Sequence, residues 1–170
     1  MSKAFTRESD DSPDDLAPPR QVPSLPPGAK NYVTPAGARA MRDELDRLLE
    51  ESRLRTAAVP DAGAAKRKRH PMDLRIEHLH ESLRTAVVVP PPDAPVDKVR
   101  FGATVIVRER GGTEARYRVV GVDETDIDRG WVSWLSPVAR ALTNARVGDK
   151  VRLKLPGGDE ELEVTCIVFE

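Results

Sequence analysis

The stretch that decides the fold is residues 130–149, GWVSWLSPVARALTNARVGD. The alternation at its start predicts a short strand, and Ser136 followed by Pro137 is typical of a helix N-cap and first helical position. The helix should end near Leu142, which we expect to anchor it to a sheet. The stretch contains no nucleophile–base pair, metal-ligand spacing or phosphate-binding loop, so it predicts a binding surface rather than a catalytic site.

The residues around this stretch predict a small antiparallel β domain, with the short helix packed on it, over residues 99–170. Five segments alternate with a period of two: 103–108, 115–120, 131–133, 150–155 and 161–169. The glycines at 111–112 and the sequence PGGD at 156–159 are hairpin turn signals. In the last segment one buried face is expected to carry Leu162, Val164, Cys166 and Val168, with the cysteine as a small core residue.

A helical hairpin is predicted upstream of the β domain, over residues 30–89. Thr34 and Pro35 form a helix start, and Pro60 and Gly63 break the helical pattern between two apolar seams. The first seam consists of Ala38, Met41, Leu45 and Leu48, and the second of Met72, Ile76, Leu79, Leu83 and Ala86. Two such seams separated by a short break predict an antiparallel two-helix coiled coil. The fold class is therefore α+β.

The remaining segments and the composition place limits on the function. Residues 1–29 combine six prolines with an acidic cluster, which predicts a disordered leader, and the prolines within 90–98 predict a stiff linker. The chain has 170 residues, a net charge of −1 and one cysteine. With no apolar run long enough for a membrane span or a signal peptide, we expect a cytoplasmic monomer without a membrane partner.

Taken together, these blocks resemble the Gre family of bacterial transcript cleavage factors, and the GreB branch in particular. The resemblance rests on LPPGAKNYVTPAGARAMRDELDRLL near the N-terminus and on residues 101–170 throughout. It implies an FKBP-like C-terminal domain without isomerase activity that docks at the rim of the RNA polymerase secondary channel. It also implies a hairpin that enters this channel, where an acidic tip motif of the form GDRSEN helps to hold a second magnesium of the polymerase.

The resemblance also suggests which residues dock. The alternation through 131–134 places Trp131 and Trp134 on opposite faces, so that one belongs to the core and Trp134 is exposed. Exposed tryptophan is enriched at interface hot spots. The docking candidates are Trp134, Ser136, Pro137 and Arg140.

The hairpin tip departs from the family pattern. The sequence TAAVPDAGAA stands where the acidic motif is expected, with a deficit of about a dozen residues that shortens the hairpin by roughly 9 Å. Asp61 is the one acid there, and a turn residue is a better interpretation of it than a metal ligand. The basic candidates for channel or nucleic-acid contact are Arg53, Arg55, Lys66, Arg67, Lys68 and Arg69.

The resemblance and the altered tip together imply a polymerase-binding elongation regulator with little or no cleavage activity, which is an accessory factor and not an enzyme. It needs no cofactor or metal of its own, since any Mg²⁺ would belong to the polymerase, and contact with nascent RNA or DNA is expected in the elongation complex. His78 and His80 do not share a helix face, which argues against a metal site. The alternatives are an active cleavage factor that uses Asp61, a regulator of nucleoside diphosphate kinase of the Rnk type and, by fold analogy alone, a peptidyl-prolyl isomerase.

Overall fold

A hairpin of two helices precedes a five-stranded sheet in the computed structural model, which describes residues 25–58, 71–93, 96–155 and 158–169. The hairpin contains β1 (Asn31–Val33), α1 (Pro35–Ala58), α2 (Pro71–Thr85) and β2 (Ala86–Val88). The sheet half, residues 96–169, contains β3 (Ala103–Glu109), β4 (Glu114–Val120), a 3₁₀ turn (Val122–Glu124), β5 (Trp131–Ser133), α3 (Pro137–Leu142), β6 (Lys150–Leu155) and β7 (Gly158–Phe169). The α+β class with a helical hairpin and a C-terminal β domain is confirmed.

The first helix begins as its sequence predicts. Thr34 lies just before Pro35, and its hydroxyl accepts a hydrogen bond from the backbone N–H of Gly37 at 3.0 Å. This bond satisfies one of the N–H groups that the first turn of a helix leaves without a partner. The main-chain carbonyl of Thr34 also accepts the first helical bond, from Ala38 at 2.9 Å.

Both predicted seams form the hairpin core. The four seam residues of α1 are buried, and Leu79 of α2 is fully buried against them. The other four members of the second seam are partly buried and pack on the same cluster. The turn between the helices, with Pro60 and Gly63, lies outside the described residues.

A short parallel pairing closes the base of the hairpin, and the sequence did not predict it. β1 pairs with β2 so that Asn31 lies beside Ala86 and Val33 beside Val88. The buried Asn31 amide donates to the Ser82 carbonyl at 3.0 Å. Ala86 therefore packs on the hairpin core as expected but from a strand, because α2 ends one residue earlier.

The sheet has the order β5-β4-β3-β7-β6, and it is mixed rather than antiparallel. The three pairings among β4, β3, β7 and β6 are antiparallel, whereas β5 runs parallel to β4 with Arg118 beside Trp131. The expectation of an antiparallel sheet was wrong at this edge. A tight turn would reverse the chain direction. The connection from β4 to β5 instead passes through the 3₁₀ turn and returns the chain to Arg118, so that β5 runs in the same direction along the last three residues of β4.

A β-bulge changes the face of β7 part-way along the strand. Ile106 pairs with Cys166 but the next residue, Val107, pairs with Val164, which leaves Thr165 as the extra residue. Leu162 and Val164 are in the core, as expected, but beyond the bulge Ile167 and Phe169 pack on the core instead. The placement of Cys166 and Val168 on the buried face was therefore wrong: Cys166 is partly exposed and Val168 is 42% exposed.

The proposed boundaries of the leader, hairpin, linker and C-terminal domain stay predictions. Residues 1–24, 94–95 and 156–157 lie outside the described part of the chain. Among the described helices, none is both long enough and apolar enough to cross a membrane.

Candidate functional site

The segment from β5 to α3 is held rigidly by its own cap and core contacts. The Ser136 side chain accepts from the Ala139 N–H at 3.2 Å, and Pro137 occupies the first helical turn. Ala139 and Leu142 are fully buried in the sheet core, so α3 is fixed to the sheet as predicted. The outer side of α3 is left to solvent, where Pro137 and Arg140 are exposed.

An apolar groove lies beside this segment. The groove, here called the β5 groove, has a volume of about 470 Å³ and is lined by Pro26, Val122, Thr125, Ile127, Trp131, Val132, Ser133, Leu135 and Ser136. Ile127 is 79% exposed, the largest exposure among the exposed large apolar residues of the described chain. A concave apolar surface with an exposed isoleucine at its edge is suited to receive an apolar side chain of a partner.

Trp131 lies in the groove between two guanidinium groups. The guanidinium carbons of Arg118 and Arg129 lie 5.2 and 5.3 Å from its ring centroid. Arg129 also forms an ion pair with Asp126 at 3.4 Å. These cation–π contacts hold the indole in place at the groove wall. A large aromatic side chain that is ordered before binding loses little entropy on binding.

Trp134 is turned inward, which corrects the expectation that it is the exposed tryptophan. Its indole packs on the sheet core and makes an edge-on contact with Tyr32 of β1, with ring centroids 5.2 Å apart. Its Nε1 is buried and has no hydrogen-bond partner within the described residues. Val132 and Trp134 both pack on the sheet core, so the two tryptophans do lie on different sides, but the core side is that of Trp134. Trp134 therefore joins the sheet half to the hairpin base, and Trp131 lines the groove.

Of the predicted docking residues, Ser136 lines the β5 groove while Pro137 and Arg140 lie on the neighbouring surface of α3. The groove positions of Ile127, Leu135 and Trp131 were not predicted from the sequence. Ile127 had a detectable signal, since an isoleucine between Asp126 and Asp128 is a strong apolar residue in an otherwise polar loop.

Two of the six predicted basic contact residues are described, and both have partners. Arg53 lies near the end of α1 in an exposed ion pair with Glu50 at 3.5 Å. Arg55 reaches across the hairpin to Asp73 of α2 at 3.2 Å. Asp61 and the four residues 66–69 lie outside the described residues. The structure therefore brings Arg55 into a contact that holds the helices together.

The two histidines of α2 have different environments. His78 Nε2 lies 2.8 Å from Asp123 Oδ1 of the sheet half, whereas His80 is exposed. Within the described ranges, no three side chains of histidine, cysteine, aspartate or glutamate are grouped so as to hold a metal ion. His78 therefore has a structural partner that the sequence analysis did not identify.

Comparison with known proteins gives consistent matches. Residues 94–168 match the family model of the C-terminal domain of transcription elongation factor GreA/GreB. The chain is 38% identical to transcription elongation factor GreB of Neisseria meningitidis, over 82% of this chain and 94% of that one. It is 37% identical to transcription elongation factor GreA of Alkalilimnicola ehrlichii, over 83% and 99%. The solved structure of the GreA/GreB factor from Nitrosomonas europaea is 23% identical over 82% and 100%, with a TM-score of 0.41.

Proposed function

Because the chain belongs to the GreA/GreB family of transcription elongation factors, we propose that it regulates elongation by binding bacterial RNA polymerase. In this proposal the sheet half docks through the β5 groove and the hairpin enters the secondary channel, with little or no stimulation of transcript cleavage. Membership of this family confirms the expectation that the protein is an accessory factor of RNA polymerase rather than a free-standing enzyme. The observation that carries the proposal is a groove-bearing sheet half joined to a hairpin whose tip sequence has a single acid.

The groove supports docking because of where it lies and what lines it. It adjoins the Ser136–Pro137 helix start, within the region that matches the family model. Ile127, Trp131 and Leu135 offer an aromatic and two aliphatic side chains around one concave surface. Tryptophan is enriched among the few residues that dominate binding energy at protein interfaces, whereas exposed charges at the rim, such as Arg140, mainly affect encounter and specificity.

The tip sequence supports weak cleavage activity. A second Mg²⁺ in the polymerase active centre needs hard oxygen ligands, and two neighbouring carboxylates supply them. From Arg55 to Lys66 the chain offers only Asp61. The alignment with the Neisseria relative is 154 residues long, which exceeds the number of residues in the 82% of this 170-residue chain that it covers. The alignment therefore contains positions that the relative occupies and this chain does not, which supports a segment of the relative without a counterpart here.

The basic run in the sequence between the two helices supports contact with phosphate groups instead. Lys66, Arg67, Lys68 and Arg69 are four successive cations. Lysine and arginine gain affinity for RNA or DNA by releasing counterions, without reading the sequence. We propose that these four residues, together with Arg53, face nucleic acid or the channel wall. Arg55 is a weaker candidate because its guanidinium pairs with Asp73.

The docking step is tested with a matched pair of substitutions. Ile127→Asp places a charge at the groove edge, and we expect the affinity for core RNA polymerase to fall about tenfold or more. Val147→Asp is the control, because Val147 is also an exposed apolar residue of the sheet half, at 58%, and does not line the groove. Binding is measured by fluorescence anisotropy of labelled protein. Equal affinities for the two variants would contradict docking through the groove.

The cleavage step is tested on a backtracked elongation complex. We expect this protein to stimulate RNA cleavage little, and to reduce the cleavage that an acid-tipped GreB stimulates, because the two compete for one channel. Ile127→Asp should lose this inhibition, whereas Val147→Asp should retain it. Strong stimulation by this protein alone would contradict the proposal, and its loss in Asp61→Asn would identify Asp61 as a tip carboxylate.

A further inference from the structure

We propose that Asp123 and Glu124 are positioning residues that clamp the two helices of the hairpin at their base and so fix the direction in which the hairpin leaves the sheet half. The 3₁₀ turn that carries them, Val122–Glu124, belongs to the sheet half. The consequence for transcription rests on the proposed function, since the direction of the hairpin then determines where its tip lies in the polymerase.

The first contact is made by Glu124 at the start of α1. Its carboxylate accepts hydrogen bonds from the backbone N–H of Thr34, at 2.9 Å, and from the Thr34 hydroxyl. The same carboxylate accepts from the N–H of Gly121 at 3.0 Å, which ties it back to its own turn. Thr34 is buried, so water competes little for these bonds. The negative charge also faces the positive end of a 24-residue helix.

Two glycines show how closely the hairpin approaches the segment that contains the 3₁₀ turn. A Cβ on Gly37 would lie 2.0 Å from Glu124 Oε1, and a Cβ on Gly121 would lie 2.4 Å from the carbonyl oxygen of Tyr32. Both distances are far shorter than a van der Waals contact. Gly37 lies inside the first turn of α1, where glycine is a poor helix former. Its presence is explained by the space that the Glu124 carboxylate needs.

The second contact is made by Asp123 to the other helix. Its carboxylate lies 2.8 Å from His78 Nε2 of α2, and its side chain is only 5% exposed. One turn earlier on α2, Arg75 forms two hydrogen bonds with Glu44 of α1, at 2.9 and 2.8 Å. Neighbouring residues of one short turn therefore hold both helices, and the Arg75–Glu44 pair holds the helices to each other.

Two holding points constrain direction in a way that one cannot. A helix of 24 residues is about 36 Å long, so a rotation of about 10° at its base would move its far end by about 6 Å. The ring contacts of Tyr32 with Phe101 and Trp134, at 5.8 and 5.2 Å, also join the two halves. Ring contacts tolerate small rotations, whereas hydrogen bonds weaken steeply when they bend.

The test measures the direction of the hairpin without polymerase. Spin labels are placed at Arg47→Cys in α1 and Val147→Cys in the sheet half, in a full-length Cys166→Ser background, and their distance distribution is recorded by double electron–electron resonance. We expect Glu124→Ala and His78→Ala each to broaden the distribution about twofold, because each removes one holding point. Glu114→Gln is the matched control, since Glu114 pairs with Arg108 inside the sheet half. An unchanged distribution in both variants would overturn the proposal.

A second measurement separates positioning from folding and docking. His78 does not line the β5 groove, so the affinity of His78→Ala for polymerase should stay within about twofold of wild type while its maximal effect on elongation at saturation falls. Tryptophan fluorescence reports whether the sheet half remains folded. If the distance distribution broadens but polymerase does not bind even the wild type, the clamp is correct and the proposed function is wrong. A fall in affinity with an unchanged maximal effect would overturn the positioning role.

Discussion

The hairpin and the sheet half are stabilised by cores of different shape. The hairpin core is a single stripe in which each residue contacts near neighbours on the facing helix. The sheet core is enclosed by α3 and by strands that are distant in sequence, and it contains Val99, Val105, Leu142, Leu153 and Val164. A helical hairpin can lose a turn from its far end without disturbing the packing of the remaining turns, whereas an enclosed core loses its packing when one of the surrounding elements is removed. The difference explains how the proposed shorter hairpin would be compatible with an intact sheet half.

The largest expected effect is that of Leu142→Ala in the enclosed core. Leu142 is fully buried between α3 and the sheet, and its truncation should lower the free energy of unfolding by about 3–5 kcal/mol, from lost burial and an unfilled cavity. The free energy of unfolding is measured by urea denaturation with tryptophan fluorescence as the probe, since both tryptophans lie in the sheet half. Arg140→Ala on the exposed side of the same helix should change it by less than about 0.5 kcal/mol.

A smaller loss is expected from Leu79→Ala in the hairpin stripe. Leu79 is also fully buried, but its neighbours on α2, Ile76 and Leu83, are only partly buried and can close in on the cavity. We expect a loss of about 2–3 kcal/mol, seen by far-UV circular dichroism, with a smaller shift in tryptophan fluorescence. Leu74→Ala, at a residue that is 48% exposed, is the control. Equal shifts by both probes would show that the two cores unfold as one unit.

Local signals in the sequence predicted the hairpin better than the sheet half. The Thr34–Pro35 start and the seams follow from cap chemistry and helical period, which act over a few residues. The parallel edge at β5 and the bulge at Thr165 depend on which strand lies alongside, and this is decided by residues far away in sequence. The inward turn of Trp134 follows from its contact with Tyr32, about a hundred residues earlier.

The candidate site also combines features that local sequence signals predicted with features that depend on residues distant in sequence. Ser136, Pro137 and Leu142 were placed correctly because a cap and a short helix are local features. The groove brings together residues from the 3₁₀ turn, β5 and the segment after it, so its apolar character is not visible in any one stretch. The His78–Asp123 contact spans 45 residues, and a lone histidine in a helix gives no sign of its partner.

A pH-dependent effect is expected between the two helices of the hairpin. The hydrogen bonds from Arg75 lower the pKa of the Glu44 carboxyl below its ordinary value of 4.5. A carboxyl whose pKa is lowered by folding stabilises the native state above its unfolded pKa, and this contribution is lost as the pH falls through the folded pKa. Because both side chains are about a third exposed, Glu44→Gln should cost only about 0.5–1 kcal/mol at neutral pH.

Unfolding measured as a function of pH checks this contribution. The difference between wild type and Glu44→Gln should shrink as the pH falls below about 4.5. Glu81→Gln is the matched control, because Glu81 pairs with Arg84 within α2 and its side chain is exposed to solvent. The difference for Glu81→Gln should be much smaller than that for Glu44→Gln at every pH, because solvent screens an exposed ion pair. A difference for Glu44→Gln that persists in acid would mean that the side chain contributes through packing rather than charge.

The smallest expected effect tests the bulge in β7. Because Thr165 is the extra residue, Cys166 lies beside Ile106 on the outer face and is partly exposed. Cys166→Ser should therefore change the free energy of unfolding by less than about 0.5 kcal/mol, whereas Val164→Ser, on the core face, should cost several times more. The native thiol should also react with a thiol reagent before unfolding. A protected thiol together with a large cost for Cys166→Ser would place the cysteine in the core and would contradict the bulge.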